Sequence, residues 1–161
     1  MSRSEHGRRF CPLVKALWLF AALAFAAPAW TTARAAETMP GPVGARVVGV
    51  IDGDTLDTRA QIWLDQEIAV RVRLLGVDTP EMRGKCADEV AKARQAKARA
   101  IELLVPLGLT VVKLRDIKHD KYAGRVDARV ELPDGRDLAG ELIAAGLARA
   151  YAGGARRGWC P

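Results

Sequence analysis

The chain reads as an α+β, mainly β domain of about five strands, with one helix after the third strand and another near the end. Three observations carry that reading. Short runs of apolar–polar alternation recur along the chain, and the segment Cys86–Leu104 switches to a helical period. Clusters of Gly, Pro and Asp punctuate the runs. That order fits a small closed barrel of the OB Greek-key type with two to three helices, whose surface suits oligonucleotides. Other α+β arrangements share the same order of elements. At 161 residues the chain is long enough for one domain with a real core.

Residues 1–35 read as an address. Arg8, Arg9 and Lys15 form a basic start, and Ala16–Ala27 is an apolar run. Ala33-Arg34-Ala35 is a small-x-small cleavage site, with Ala27-Pro28-Ala29 as an alternative. This is the pattern of a signal peptide, so the expectation is an exported chain, periplasmic or extracellular, beginning near Ala36. Arg8-Arg9-Phe10 hints at twin-arginine export. An uncleaved membrane anchor is the alternative, weakened by Pro28, Thr31 and Thr32. After cleavage no stable membrane insertion is expected.

From there the elements follow in order. Residues 36–44 (with Glu37–Gly44 rich in Pro and Gly) read as a linker ahead of a domain over 45–161. Ala45–Ile51 is strand-like, and Asp52-Gly53 signals a turn. Thr55–Leu64 and Ile68–Leu75 alternate, with Leu64-Asp65-Gln66-Glu67 as the turn between them. The helix over Cys86–Leu104 puts Val90, Ala93, Ala96, Lys97, Ala100, Ile101 and Leu104 on one face and ends at Pro106 and Gly108. Leu109–Leu114 is a strand, Lys118–Gly124 a polar loop and Arg125–Leu132 another strand. Pro133-Asp134-Gly135 turns the chain, Asp137 caps a helix over Leu138–Ala145, and Gly146 stops it. Ala148–Tyr151 is extended, followed by a tail rich in Gly and Arg.

Composition narrows the chemistry. The formal charge is +6, but residues 1–35 hold five Lys/Arg and one acid, leaving 20 basic against 18 acidic residues, about +2. Bulk charge therefore says little about partners; individual arginines must carry that argument. Beyond residue 35 there is no Ser and no Asn, which excludes a Ser triad, and His119 is the one remaining His. Cys86 and Cys160 remain once Cys11 leaves with the leader. In an oxidising compartment they are expected to form one disulfide.

The acidic turns point to a hard cation. Asp52-Gly53-Asp54-Thr55 starts like an EF-hand loop but fails at its sixth and twelfth positions, which hold Asp57 and Trp63. Any cation there needs ligands from elsewhere, and Asp78-Thr79-Pro80-Glu81 supplies carboxylates and a backbone carbonyl. Arg73 leads into this turn, Arg71 shares its parity, and Arg125 follows the loop Asp120–Gly124. Guanidinium forks beside a carboxylate-held cation suit a phosphodiester.

The strings VIDGDT, RVRLLGVDTPE and DKYAGR, with LAGELIAAGLARAY later, resemble the staphylococcal nuclease (thermonuclease) family over about residues 46–151. The resemblance implies an OB-fold, calcium-dependent nuclease acting on DNA and RNA with little sequence preference, attacking phosphorus in line and leaving 3′-phosphate ends. It implies Asp54 and Asp78 as Ca2+ carboxylates, Thr79 as a carbonyl ligand, Glu81 as the residue that activates water, and Arg73 and Arg125 as phosphate-binding arginines. Lys121, Tyr122 and Tyr151 are further candidates for substrate contact, preferably with single-stranded or flexible strands. A monomer is expected. Three departures stand out: the extra Ala123 before Arg125, a longer segment between Asp54 and Arg73, and the lack of a long C-terminal helix. The rival expectations are an OB-fold module that binds without cleaving and a protein that uses the site for structural calcium.

Overall fold

A computed structural model describes residues 37–104 and 111–161. The expected leader and the helix-ending Pro106 and Gly108 lie outside the described residues. Ten elements follow in order: β1 (Thr38–Met39), β2 (Val43–Asp52), β3 (Thr55–Trp63), β4 (Gln66–Leu74), β5 (Val77–Asp78), α1 (Ala87–Leu104), β6 (Val111–His119), β7 (Arg125–Glu131), α2 (Leu138–Ala144) and β8 (Arg149–Ala150).

Strands β2, β3 and β4 form an antiparallel meander. Strand β7 pairs parallel to β4 and antiparallel to β6, and β6 pairs back on β2. The five strands therefore close into the expected OB-type barrel, with α1 and α2 as its two described helices. Closure removes the exposed edges that an open sheet of this size would present. The interior is filled by alternate residues of each strand, including Leu56, Val72, Leu74, Val112, Leu114, Ala128 and Val130, all essentially buried. Leu138 and Leu142 of α2 and Leu103 and Leu104 of α1 join the same core. The Asp137 side chain caps α2 by accepting from Gly140 N at 3.0 Å, as expected from its residue type.

Several local expectations shift. The segment read as a linker is partly docked: Thr38 and Met39 pair with Lys118 and Ile117 of β6, and Val43 and Gly44 already belong to β2. The β3–β4 turn is tighter, with Gln66 and Glu67 inside β4 and only Leu64-Asp65 between the strands; Asp65 takes the left-handed conformation such a turn needs. Strand β6 runs on to His119. The buried stripe of α1 is Glu89, Ala93, Ala96, Ala100, Leu103 and Leu104, so Ile101 faces out. Among the described residues no helix is long and apolar enough to cross a membrane.

Candidate active site

The turn between β2 and β3 carries Asp54 and sits against the turn after β5. A Cβ on Gly53 would stand 2.8 Å from Ala96 Cβ and 3.2 Å from Thr79 Cγ2, so glycine is what lets the two turns and α1 close together. Leu74 N donates to Asp54 O at 2.8 Å, fixing this turn to the end of β4. Arg73 then meets Asp54 with two prongs: Nη2 lies 2.8 Å from Oδ2, and Nη1 donates to Oδ1 at 3.0 Å. Thr55 Oγ1 donates to the same Oδ1 at 3.0 Å. Asp54 is 3% exposed. Burial pushes its carboxyl up to about 6; Arg73 opposes that shift and Asp52 adds to it.

Asp78 and Thr79 are buried at the end of β5, which pairs with β8 through Val77↔Ala150 and Asp78↔Arg149. Glu81 stands above them, exposed to solvent. Arg73, Glu81, Lys121, Tyr122, Arg125 and Tyr151 all line one cleft of about 660 Å³. Asp54, Asp78 and Thr79 are buried residues of the adjoining turns.

Arg125 enters β7 directly after the loop that carries the additional Ala123. Its Nε donates to Asp120 Oδ2 at 2.6 Å, and its guanidinium carbon lies 4.7 Å from the Tyr122 ring centre. Arg71 N donates to Gly124 O at 3.3 Å, tying the loop to β4. Arg125 thus lines the cleft with Ala123 in place. Arg71 itself points to a different partner, Asp57, at 2.9 Å.

A family model described as staphylococcal nuclease homologue matches residues 71–157, more than half of the chain. The chain belongs to the staphylococcal nuclease family. An uncharacterized endonuclease of Escherichia coli is 31% identical over 112 residues, covering 68% of this chain and 61% of the relative. A protein of the same description from Escherichia coli O157:H7 matches to the same extent. Protein ParB of Escherichia coli is 31% identical over 149 residues, 89% of this chain and 72% of that protein. The chain therefore spans about three fifths of the two endonuclease relatives. The family match starts at Arg71, so the placement of Asp54 beside Arg73 rests on the geometry above.

In this nuclease-family chain three further residues belong to the same corner, and the sequence reading passed over them. Glu89 of α1, 7% exposed, accepts from Lys85 N at 2.8 Å and from Glu81 N at 3.4 Å, so it holds the loop that presents Glu81. Gly84 makes room for it: a Cβ there would stand 2.5 Å from Glu89 Cγ. Arg156 and Trp159 come from the tail. Arg156 Nη1 donates to Glu81 Oε1 at 2.7 Å, and its Nε lies 3.1 Å from Asp78 Oδ1. Trp159 Nε1 donates to Asp78 Oδ2 at 3.2 Å. The Cys86–Cys160 disulfide, expected from the cysteine count, closes this corner.

Asp78 Oδ1 is buried and accepts no hydrogen bond, because the nearby Arg156 N–H is not aimed at it. A buried carboxylate oxygen that is ion-paired but not hydrogen-bonded, a second buried carboxylate at Asp54 and oxygen-only donors suit a hard divalent cation. Cys86, Glu89 and Cys160 also cluster, but their two sulfurs are spent on each other in the disulfide.

Proposed function

We propose that this chain is a metal-dependent, sequence-nonspecific endonuclease that hydrolyses phosphodiester bonds of DNA and RNA to leave 3′-phosphate ends, with Ca2+ as its ion. The observation that supports this best is the cleft itself: Arg73, Arg125 and Glu81 line one opening, and Asp54 bonds Arg73. The names of the two endonuclease relatives point the same way.

In this reading Asp54, Asp78 and the Thr79 carbonyl hold the cation, which when bound polarises the phosphate and offsets its charge. Arg73 and Arg125 clamp the phosphate oxygens and meet the charge that grows in the transition state. Glu81, exposed in the cleft, orients a water and takes its proton as the oxygen attacks phosphorus in line and the 5′ oxygen departs. Lys121, Tyr122 and Tyr151 flank the strand, and the 56% exposed Tyr122 ring offers a base a surface to stack on beside Arg125. Such a cleft favours single-stranded or flexible substrates. We read the chain as a monomer, with residues 1–35 as an export leader and the domain in the periplasm or outside the cell. The disulfide is compatible with that compartment.

The test uses labelled single-stranded DNA and RNA with Ca2+ and then with EDTA, wild type beside Glu81→Gln. Calcium-dependent cleavage to 3′-phosphate ends, falling about 10²–10⁴-fold in the variant, is expected. Binding without cleavage by wild type would replace this reading with that of a non-catalytic OB-fold module.

A further inference from the structure

The tail from Gly153 to Pro161 lies across the corner where Asp78 and Glu81 meet. It is fastened at both ends. On one side β8 pairs with β5, and Tyr151 N donates to Gly76 O at 2.9 Å. On the other, Cys160 is bonded to Cys86. Between these anchors Arg149 Nη1 donates to Gly158 O at 3.0 Å and its guanidinium lies 3.7 Å from the centre of the Trp159 ring. This clamp delivers two donors, one neutral and one cationic, to the acidic corner. Trp159 N–H takes Asp78 Oδ2, and the Arg156 guanidinium spans Asp78 Oδ1 and Glu81 Oε1 at 3.1 and 2.7 Å.

A guanidinium and a divalent cation compete for the same carboxylate oxygens, at Asp54 beside Arg73 as at Asp78 beside Arg156. Their like charges repel, and both are drawn to the negative charge of the same carboxylate. We propose that Arg156, held by Glu81, is a built-in competitor for the cation at Asp78, and that the disulfide-anchored tail thereby sets how tightly the site takes metal. The inference rests on the reading of Asp78 as a cation ligand. Gly153 and Gly154 have φ of +102° and +92°, which lets the chain turn back toward Asp78 between the two anchors, and Tyr151 Oη donates to Gly154 O at 2.6 Å. The Arg156 side chain is 42% exposed and so has a way out toward solvent.

The experiment is calorimetric titration of CaCl₂ into the EDTA-stripped chain at fixed ionic strength, in wild type, Arg156→Ala, Arg156→Lys and Cys86→Ser/Cys160→Ser, each first checked for folding by circular dichroism. Arg156→Ala is expected to bind Ca2+ about tenfold more tightly, within the usual range of coupling between two ligands. The double Cys variant should move in the same direction. Arg156→Lys, which keeps the charge, should stay near wild type. Equal or weaker binding in Arg156→Ala overturns the inference while leaving the cation site standing. Lysine behaving like alanine also overturns it. Tightening that survives Asp78→Asn would place the ion elsewhere and overturn it too. Absence of Ca2+ binding in wild type and Arg156→Ala alike would remove the cation reading as well.

Discussion

The two halves of the cleft are built by different means. Its floor is Arg73 on β4, in register with Thr55 on one side and Asp127 on the other, backed by the buried Asp54, Asp78 and Thr79 of the adjoining turns. Its rim is Glu81 and Tyr122 on loops, Arg125 at the start of β7 and Arg156 on the tail, held largely by side-chain bonds and by one disulfide. Floor residues are therefore tied into the strands and turns of the barrel, whereas rim side chains are expected to be replaceable with the barrel left intact. Charge behaves accordingly. In Asp54 burial outweighs Arg73 and the carboxyl is pushed up to about 6. In Asp120 burial also pushes up, but the bonds from Arg125 and the loop backbone prevail and the carboxyl ends below its ordinary value.

The largest stability effect should come from cutting the link between the halves. The disulfide closes a loop with a sequence separation of 74, which in the chain-entropy description stabilises the fold by about 4 kcal/mol. Urea unfolding of oxidised and reduced protein should differ by roughly that amount. The reduced protein should keep the circular dichroism of the barrel, because no core side chain is lost. A difference below about 1 kcal/mol would mean that the tail adds little constraint to the unfolded chain.

The next contrast sets one arginine against the other. Arg73→Ala leaves Asp54 buried without its two-pronged partner and should cost about 3 kcal/mol of stability. Arg125→Ala removes the partner of an Asp120 side chain that is 5% exposed, but the carboxylate keeps its bond from Tyr122 N and gains water where the Arg125 side chain stood, so its cost should be smaller, about 1 to 2 kcal/mol. Both should lose nuclease activity. Equal stability losses in chemical denaturation would erase the distinction between floor and rim.

That distinction also marks what could be read from the sequence. The elements that hold the floor were legible because strand alternation marks β4, which carries Arg73, and because Asp-Thr-Pro-Glu ends a strand pattern with carboxylates; that Arg71 pairs with Asp57 instead was not. The barrel strands and both helices were legible from period and turn residues. The parallel β4–β7 pairing that closes the barrel leaves no local trace, since it joins segments more than fifty residues apart. Glu89 was hidden by its polarity: a helical stripe sought among small and apolar residues skips a buried glutamate, and the face was set one position off. Arg156 and Trp159 were hidden in a tail without periodicity, where only the cysteine pairing hinted that the chain returns to the site. Docking of Thr38-Met39 was likewise invisible, because two residues are too few to show alternation.

The smallest effect is the pH dependence of the rim. Asp120 lies below its ordinary 3.8 in the folded chain because hydrogen bonds from Arg125, Tyr122 and Lys121 outweigh burial. Its neighbour Asp127 on β7 is raised, first by burial and then by the Asp120 charge, with Lys118 and Arg73 opposing. A carboxyl lowered on folding contributes stability that is fully present above its unfolded value and fades as pH falls through the folded one. Asp120 therefore supports the fold above pH 3.8 and withdraws that support below it. Asp127, being raised, binds its proton more tightly when folded, so its contribution runs the other way and grows as pH falls toward 3.8. Asp120→Asn removes the first contribution and also lowers Asp127 by removing a neighbouring charge. In EDTA, the stability gap between wild type and Asp120→Asn should be flat from neutral pH to about 5 and should shrink below about 4, the ordinary carboxylate range. A gap that widens in acid would mean that burial, not Arg125, governs Asp120, and the rim would then be electrostatically no different from the floor.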